Sequence, residues 1–330
     1  RLALIAAGVK PGDEVIIPPY TFIATASIVI EANCVPVFVD IHPETYNLDP
    51  AKIEAAITGR TKAIIPVHFA GQACDMDQIM SIAKKYQLTV IEDAAHAHGG
   101  EYKGKKLGSI GHAGCFSFQS SKNLTAGEGG IVITDDEALF DRMNSLRNVG
   151  RVRGGPWYEH HYLGCNYRIT QFQAALLTTQ LKRLEDQTRT RDENGKFLTA
   201  QLGSIPGISP LTRGHGETRH THHLYIFRYD KAKFNGLSKA DFARMLAAEG
   251  VATSVLDTPI SASVWPSTAS SWPMAVAMRA CADETALFTT VLASAGFASN
   301  QWLSCSLQIF CTNDLTSVLP SLVLVWPSNC

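Results

Sequence analysis

The chain lacks any paired arrangement of cysteines. Its eight Cys, at 34, 74, 115, 165, 281, 305, 311 and 330, contain no C-x-x-C and no zinc-type spacing, so neither a redox dithiol nor a metal knuckle is indicated and a reducing cytoplasm is the expected compartment. It lacks an excess of either charge. A balance of 29 Lys and Arg against 30 Asp and Glu gives a net charge of -1, which leaves no electrostatic footprint for nucleic acid or an anionic membrane. It lacks a long apolar run as well: the longest, near 318–326, is broken by Pro320 and falls short of the ~18 residues that a spanning helix needs. No secretory signal opens it and no internal repeat runs through it. A soluble protein without nucleic-acid or membrane partners is expected.

Charge is scarce in one place. From Asp257 to Cys330 the only charged residues are Asp257, Arg279, Asp283, Glu284 and Asp314, and there is no Lys, while four of the five Trp lie in this stretch. At the chain's average of 18% charged residues, about 13 would be expected there. A reading-frame error or a divergent fusion is one explanation, and a hydrophobic lobe buried in an oligomer is the other.

What the chain does have is a lysine in an unusual setting, Ser117-Phe118-Gln119-Ser120-Ser121-Lys122-Asn123-Leu124-Thr125-Ala126-Gly127-Glu128-Gly129-Gly130. Upstream, the apolar run Leu88-Thr89-Val90-Ile91 ends in Glu92-Asp93-Ala94-Ala95-His96-Ala97-His98-Gly99, a buried strand delivering an acid to a loop. An amine that holds a cofactor aldehyde as an imine, and a carboxylate that keeps a pyridine nitrogen protonated, are the two groups that pyridoxal phosphate chemistry requires. Lys122 and Asp93 would supply them, and Ser117, Ser120, Ser121 and the glycine backbone could donate to a phosphate. Singly, each has a plainer reading: an exposed lysine, an acid capping a helix, a glycine turn.

Short apolar runs alternate with helical patterns at 15–17, 25–32, 35–39, 50–57, 63–67, 76–86 and 88–91. This argues for an α/β fold, a mainly parallel sheet covered by helices, with ligands at the carboxyl ends of the strands. Residues 171–202 read as a helix that joins two lobes, and 223–229 as a strand of the second. The expected division is a large domain at 1–200 and a smaller α+β lobe at 201–330, atypical after about 256. Histidines at 215, 220, 222 and 223 lack an ordered second ligand motif, which favours a polar loop and strand start over a metal site.

The acid motif, Phe116-Ser117-Phe118 to Lys122-Asn123, and Gly127-Glu128-Gly129-Gly130 stand in an order and spacing that resembles the DegT/DnrJ/StrS family of pyridoxal-phosphate sugar aminotransferases. The resemblance runs from Gly8-Val9-Lys10-Pro11-Gly12-Asp13-Glu14-Val15 through Pro18-Pro19-Tyr20-Thr21-Phe22-Ile23-Ala24-Thr25 to Gly164-Cys165-Asn166-Tyr167-Arg168 and about Val255. It implies the aspartate-aminotransferase-like fold type I and pyridoxal 5'-phosphate as cofactor. By the same resemblance Lys122 would be the imine lysine and Asp93 the partner of the pyridine nitrogen. Ser117 would contact the phosphate, His96 would lie beside the ring hydroxyl, and Phe22 would stack on the ring. Asn166 would reach the phosphate in a neighbouring subunit's site, which implies a homodimer with shared sites.

The activity so implied is transfer of an amino group from glutamate or glutamine to a nucleotide-linked keto sugar or a keto cyclitol. The run Gly216-Glu217-Thr218-Arg219-His220 resembles the cyclitol branch. Relatives that dehydrate sugars replace the lysine with histidine, so Lys122 argues against that chemistry. An inactive or regulatory member is the remaining alternative, since the chain starts at Arg1-Leu2-Ala3-Leu4 inside an expected helix, and a preceding family Gly-Thr segment would help bind the phosphate.

Overall fold

The computed structural model of the chain describes residues 1–251, 253, 255–256 and 288–289. The scarcely charged tail and both explanations for it therefore lie almost wholly outside the described residues.

The chain runs α1 (Leu2–Ala6), β1 (Glu14–Ile17), α2 (Ala24–Glu31), β2 (Val35–Phe38), α3 (Pro50–Ile53), β3 (Thr61–Ile64), α4 (Met76–Tyr86) and β4 (Thr89–Asp93). A hairpin of β5 (Glu101–Tyr102) and β6 (Lys105–Lys106) precedes β7 (Ala113–Ser117), β8 (Gly130–Ile133) and α5 (Glu137–Arg147). The central sheet has the order β2-β1-β3-β4-β7-β8. All its pairings are parallel except that of β7 with β8.

Both faces of this sheet are covered, which explains why its strands are short continuous apolar runs. Alternation divides each strand between two cores. Val15, Ile17, Ala63 and Ile91 pack with Leu4, Val29, Leu139 and Met143 from α1, α2 and α5. Ile16, Ile64 and Val90 pack on the other face with Met76 and Ile79 of α4. This parity puts Asp93 on the α1 and α2 face with Ile91, and Glu92 on the α4 face with Val90.

Local chemistry sets the helix ends. Asp75 caps α4 by accepting from the Gln78 amide, and Lys84 and Lys85 occupy its last turn, where positive charge complements the helix dipole. A reciprocal capping box between Thr170 and Gln173 starts α6 (Gln171–Leu202), which explains how a 32-residue helix begins so sharply. Its far end buries Leu198 and Leu202 in a third core with Ile208, Tyr225, Phe227 and Tyr229.

Beyond α6 come β9 (Ile208–Pro210), β10 (Glu217–Arg219), β11 (Phe227–Tyr229), α7 (Lys239–Ala248), β12 (Val255–Leu256) and β13 (Phe288–Thr289). An antiparallel sheet of order β12-β13-β11-β9 forms there, while β10 crosses back to pair with β5. The strand expected over 223–229 is confined to Phe227–Tyr229. Upstream, the amides of Thr221 and Leu224 are taken by the carbonyls of Gly71 and Ala70, and His222 has a left-handed φ of 42°, so no ladder can form. The helix expected over 50–57 tightens after Ile53 into a 3-10 turn, Glu54–Ala56. No described helix is long and apolar enough to cross a membrane.

Candidate active site

Asp93 ends β4, at the carboxyl edge of the sheet. Its peptide is held from both sides: its amide donates to the Pro66 carbonyl (2.9 Å), its carbonyl accepts from the His68 amide (3.1 Å), and the next amide, Ala94, donates to Cys115 (2.9 Å). The carboxylate is also fixed. Oδ2 accepts from Thr25 Oγ1 at 2.8 Å and Oδ1 from the Ala95 amide at 3.2 Å. Thr25 is in turn 2.9 Å from the Thr21 hydroxyl, one helical turn back. A cavity of about 260 Å³ opens here, lined among others by Thr25, Ile28, Asp93, Cys115, Ser117 and Gly129.

Cys115 pairs in register with Asp93 across β7. Ser117 lies two residues further along β7 and so on the same face, roughly 8 Å from Asp93 by strand rise and strand spacing. Its hydroxyl accepts from the Gln119 amide at 3.3 Å. The chain then makes an excursion before returning as β8. The Phe118 amide closes it by donating to the Gly129 carbonyl (2.8 Å), Gln180 of α6 clamps both backbone groups of Thr125, and the buried Asn123 donates to the Thr221 carbonyl (3.2 Å). Gly129, with φ at 135°, turns the chain where an L side chain would be strained.

Lys122 stands in this excursion, half-buried. Among the described residues no hydrogen bond or ion pair holds its amine. Burial lowers its pKa from 10.5 to about 8, against the opposing pull of the Asp93 charge. His96 lies close by. Burial foremost, then the charges of Lys122 and His98, hold its imidazole well below the usual range. The His96 ring stacks on His223 at 4.2 Å, its carbonyl accepts from Thr221 Oγ1 (2.6 Å), and its buried Nδ1 has no partner among the described residues.

The structure thus gathers Lys122, Asp93, Ser117 and His96 around one end of the sheet. The other two expected residues face solvent in the single chain. Phe22 precedes α2 and is 72% exposed, and Asn166 is exposed in a segment bridged to Asn148. Sequence reasoning passed over Thr25, whose only signal was its place one turn after Thr21 in the Pro18–Thr25 run. It also gave His223 no place in the site, reading it as the start of a strand after a polar loop. Among the described residues no three His, Cys, Asp or Glu side chains gather to hold a metal ion.

An amine without an internal partner, an anchored carboxylate, a hydroxyl on the neighbouring strand and an orphaned imidazole nitrogen fit a group that carries an aldehyde, a ring nitrogen, a phosphate and a ring hydroxyl. Pyridoxal phosphate has these four features.

Known proteins resemble this chain over most of its length. The chain is 49% identical over 230 residues to the GDP-perosamine synthase of Caulobacter vibrioides, covering 69% of this chain and 61% of that one. It is 43% identical over 257 residues to the L-glutamine:2-deoxy-scyllo-inosose aminotransferase of Streptomyces lividus, covering 75% and 60%. It therefore spans about three fifths of the length of these two relatives. Among solved structures, 3-amino-5-hydroxybenzoic acid synthase superposes with a TM-score of 0.78 at 34% identity, over 88% of this chain and 77% of that one; it shares the fold of the pyridoxal-phosphate aminotransferases. The sequence profile of one family matches residues 1–293, running past the point near 256 where the pattern had looked broken. On the strength of that match and of the site it encloses, the chain belongs to the DegT/DnrJ/EryC1/StrS aminotransferase family.

Proposed function

We propose that this family aminotransferase uses pyridoxal phosphate to move an amino group from glutamate or glutamine to a ketone on a nucleotide-linked sugar or a cyclitol. The observation that carries the reading is the Lys122 amine, without a partner among the described residues and lowered to about 8, on the same end of the sheet as the anchored Asp93. When bound, the cofactor supplies an electron sink for breaking the carbon–hydrogen bond next to the amine.

The remaining work belongs to the chain. Lys122 Nζ would hold the aldehyde group of the cofactor and, when free, would carry a proton; an amine lowered to about 8 is suited to both tasks. Asp93 holds a proton at the ring nitrogen, and the Thr25 hydroxyl on Oδ2 fixes the plane of the carboxylate. Ser117 would donate to the phosphate, and His96 would hold the ring hydroxyl. By family resemblance we assign Phe22 to the ring face and Asn166 to the site of a second copy, hence a homodimer with shared sites in the cytoplasm. The lobes are assigned as 1–200 and 201–330.

The test is isotope transfer. The chain is incubated with pyridoxal phosphate, glutamine or glutamate labelled at the α-amine, and a panel of nucleotide-linked 4-keto sugars and keto cyclitols. Labelled amine in a product, absent with Lys122→Ala, is expected. No transfer from either donor to any member of either acceptor class would contradict the proposal.

A further inference from the structure

The side chain behind Asp93 is an ionised acid with no access to solvent. Glu92 is 0% exposed and lies on the sheet face opposite Asp93. Each of its oxygens accepts twice: Oε2 from His68 Nε2 (2.9 Å) and the Gly108 amide (2.7 Å), Oε1 from the amides of Ile110 (2.7 Å) and Gly111 (2.6 Å). Burial alone would push this carboxyl up, but the His68 contact and the Gly111 and Gly108 amides outweigh it and bring it below its ordinary value. His68, also 0% exposed, accepts from the Cys74 amide at Nδ1 (3.2 Å). Its proton is therefore on Nε2, pointing at Glu92.

These bonds connect three segments that meet at the site. The His68 amide holds the Asp93 carbonyl, so one residue ties both the backbone of Asp93 and the side chain of Glu92. The Gly108–Gly111 turn, gathered around the carboxylate, is packed directly on β7: a Cβ at Gly114 would meet the Gly108 carbonyl oxygen at 2.0 Å. Moving the turn moves β7 and with it Ser117. An apolar pair would fill the same volume with less desolvation cost, but it could not organise three backbone amides.

We propose that Glu92 and His68 are a positioning pair that sets β4 against β7, and so sets Asp93 against Ser117 at the two ends of the cofactor. This rests on the functional reading above. Neither residue touches the cofactor; both act through the strands.

The test compares His68→Gln with His68→Leu. Glutamine can donate to Glu92 through Nε2 and accept from Cys74 through Oε1; leucine can do neither. Two readouts are taken: the dissociation constant for pyridoxal phosphate, and hydrogen exchange at Gly108, Ile110 and Gly111 in the cofactor-free chain. Loss of a hydrogen bond to a buried charge predicts at least about tenfold weaker binding and faster exchange in His68→Leu, with both restored to within about threefold in His68→Gln. Ile79→Val, which loosens the same core without touching the pair, should leave the affinity unchanged. Equal behaviour of wild type and both His68 variants, or equal losses in both, overturns the proposal, as does an equal loss in Ile79→Val. If the wild-type chain binds no pyridoxal phosphate, the functional reading fails, and exchange without cofactor still decides whether the pair organises the turn.

Discussion

Lys122 should react like no other lysine in the chain. With a pKa of about 8, about one tenth of its amine is neutral at pH 7, against about three parts in ten thousand for a lysine at 10.5, a ratio of roughly 300. Cyanate modifies only the neutral amine, so carbamylation of the cofactor-free chain, followed residue by residue by mass spectrometry, reads this fraction directly. The rate at Lys122 should rise with pH and level off above about 8, whereas a free lysine amine would keep rising to about 10.5. Asp93 supplies the opposing pull, since its negative charge favours the ammonium. Asp93→Asn should therefore lower the inflection and speed the reaction at pH 7, by at most about tenfold because the neutral fraction cannot exceed one. The same variant should abolish amino transfer, so reactivity and turnover move in opposite directions. An inflection at or above 10, or one that Asp93→Asn moves upward, would refute the reasoning.

Thr25→Val removes the hydroxyl that donates to Asp93 at nearly constant volume; denaturant unfolding should show a loss of about 1.5–3 kcal/mol, with Thr25→Ser close to wild type, and equal losses in the two would remove the hydrogen bond as the cause. His98 and His222 are held down by burial, to about 4 and about 3, so below pH 6.5 the unfolded chain takes up protons that the folded chain refuses. Stability should fall as the pH drops from 6.5 towards 4, with these two contributing up to roughly 2.7 kcal/mol per pH unit; a flat pH–stability curve there would contradict it. Glu217 works in the other direction. Burial raises it to about 7, so between 4.5 and 7 the folded chain binds the extra proton and stability declines as pH rises, by up to about 1.4 kcal/mol per unit, a slope that Glu217→Gln should remove. Gly114→Ala forces a Cβ against backbone at 2.0 Å and should cost more than about 3 kcal/mol or prevent folding, read by soluble yield and melting.

The parts legible in the sequence were those written in local pattern. The alternation of apolar runs and helices placed β1 to β4 and α4, and the helical pattern over 171–202 placed α6. Asp93 and Lys122 carried a chemical signature in their neighbours. What stayed hidden depends on partners distant in the chain and common in type. Glu92 is satisfied by three backbone amides that any residue supplies and by a histidine 24 positions upstream, so no side-chain motif announces it. The residues at 223–229 look like a strand because most are apolar or aromatic, but only Phe227–Tyr229 forms one. Just upstream, the amides of Thr221 and Leu224 are drawn to the carbonyls of Gly71 and Ala70.

The most direct test of the central claim is the visible absorbance of the purified chain with pyridoxal phosphate, before and after glutamate or glutamine, in wild type and Lys122→Ala. The account predicts an absorbance band that requires Lys122 and is bleached by donor. A band that survives in Lys122→Ala, or none in wild type, would contradict it.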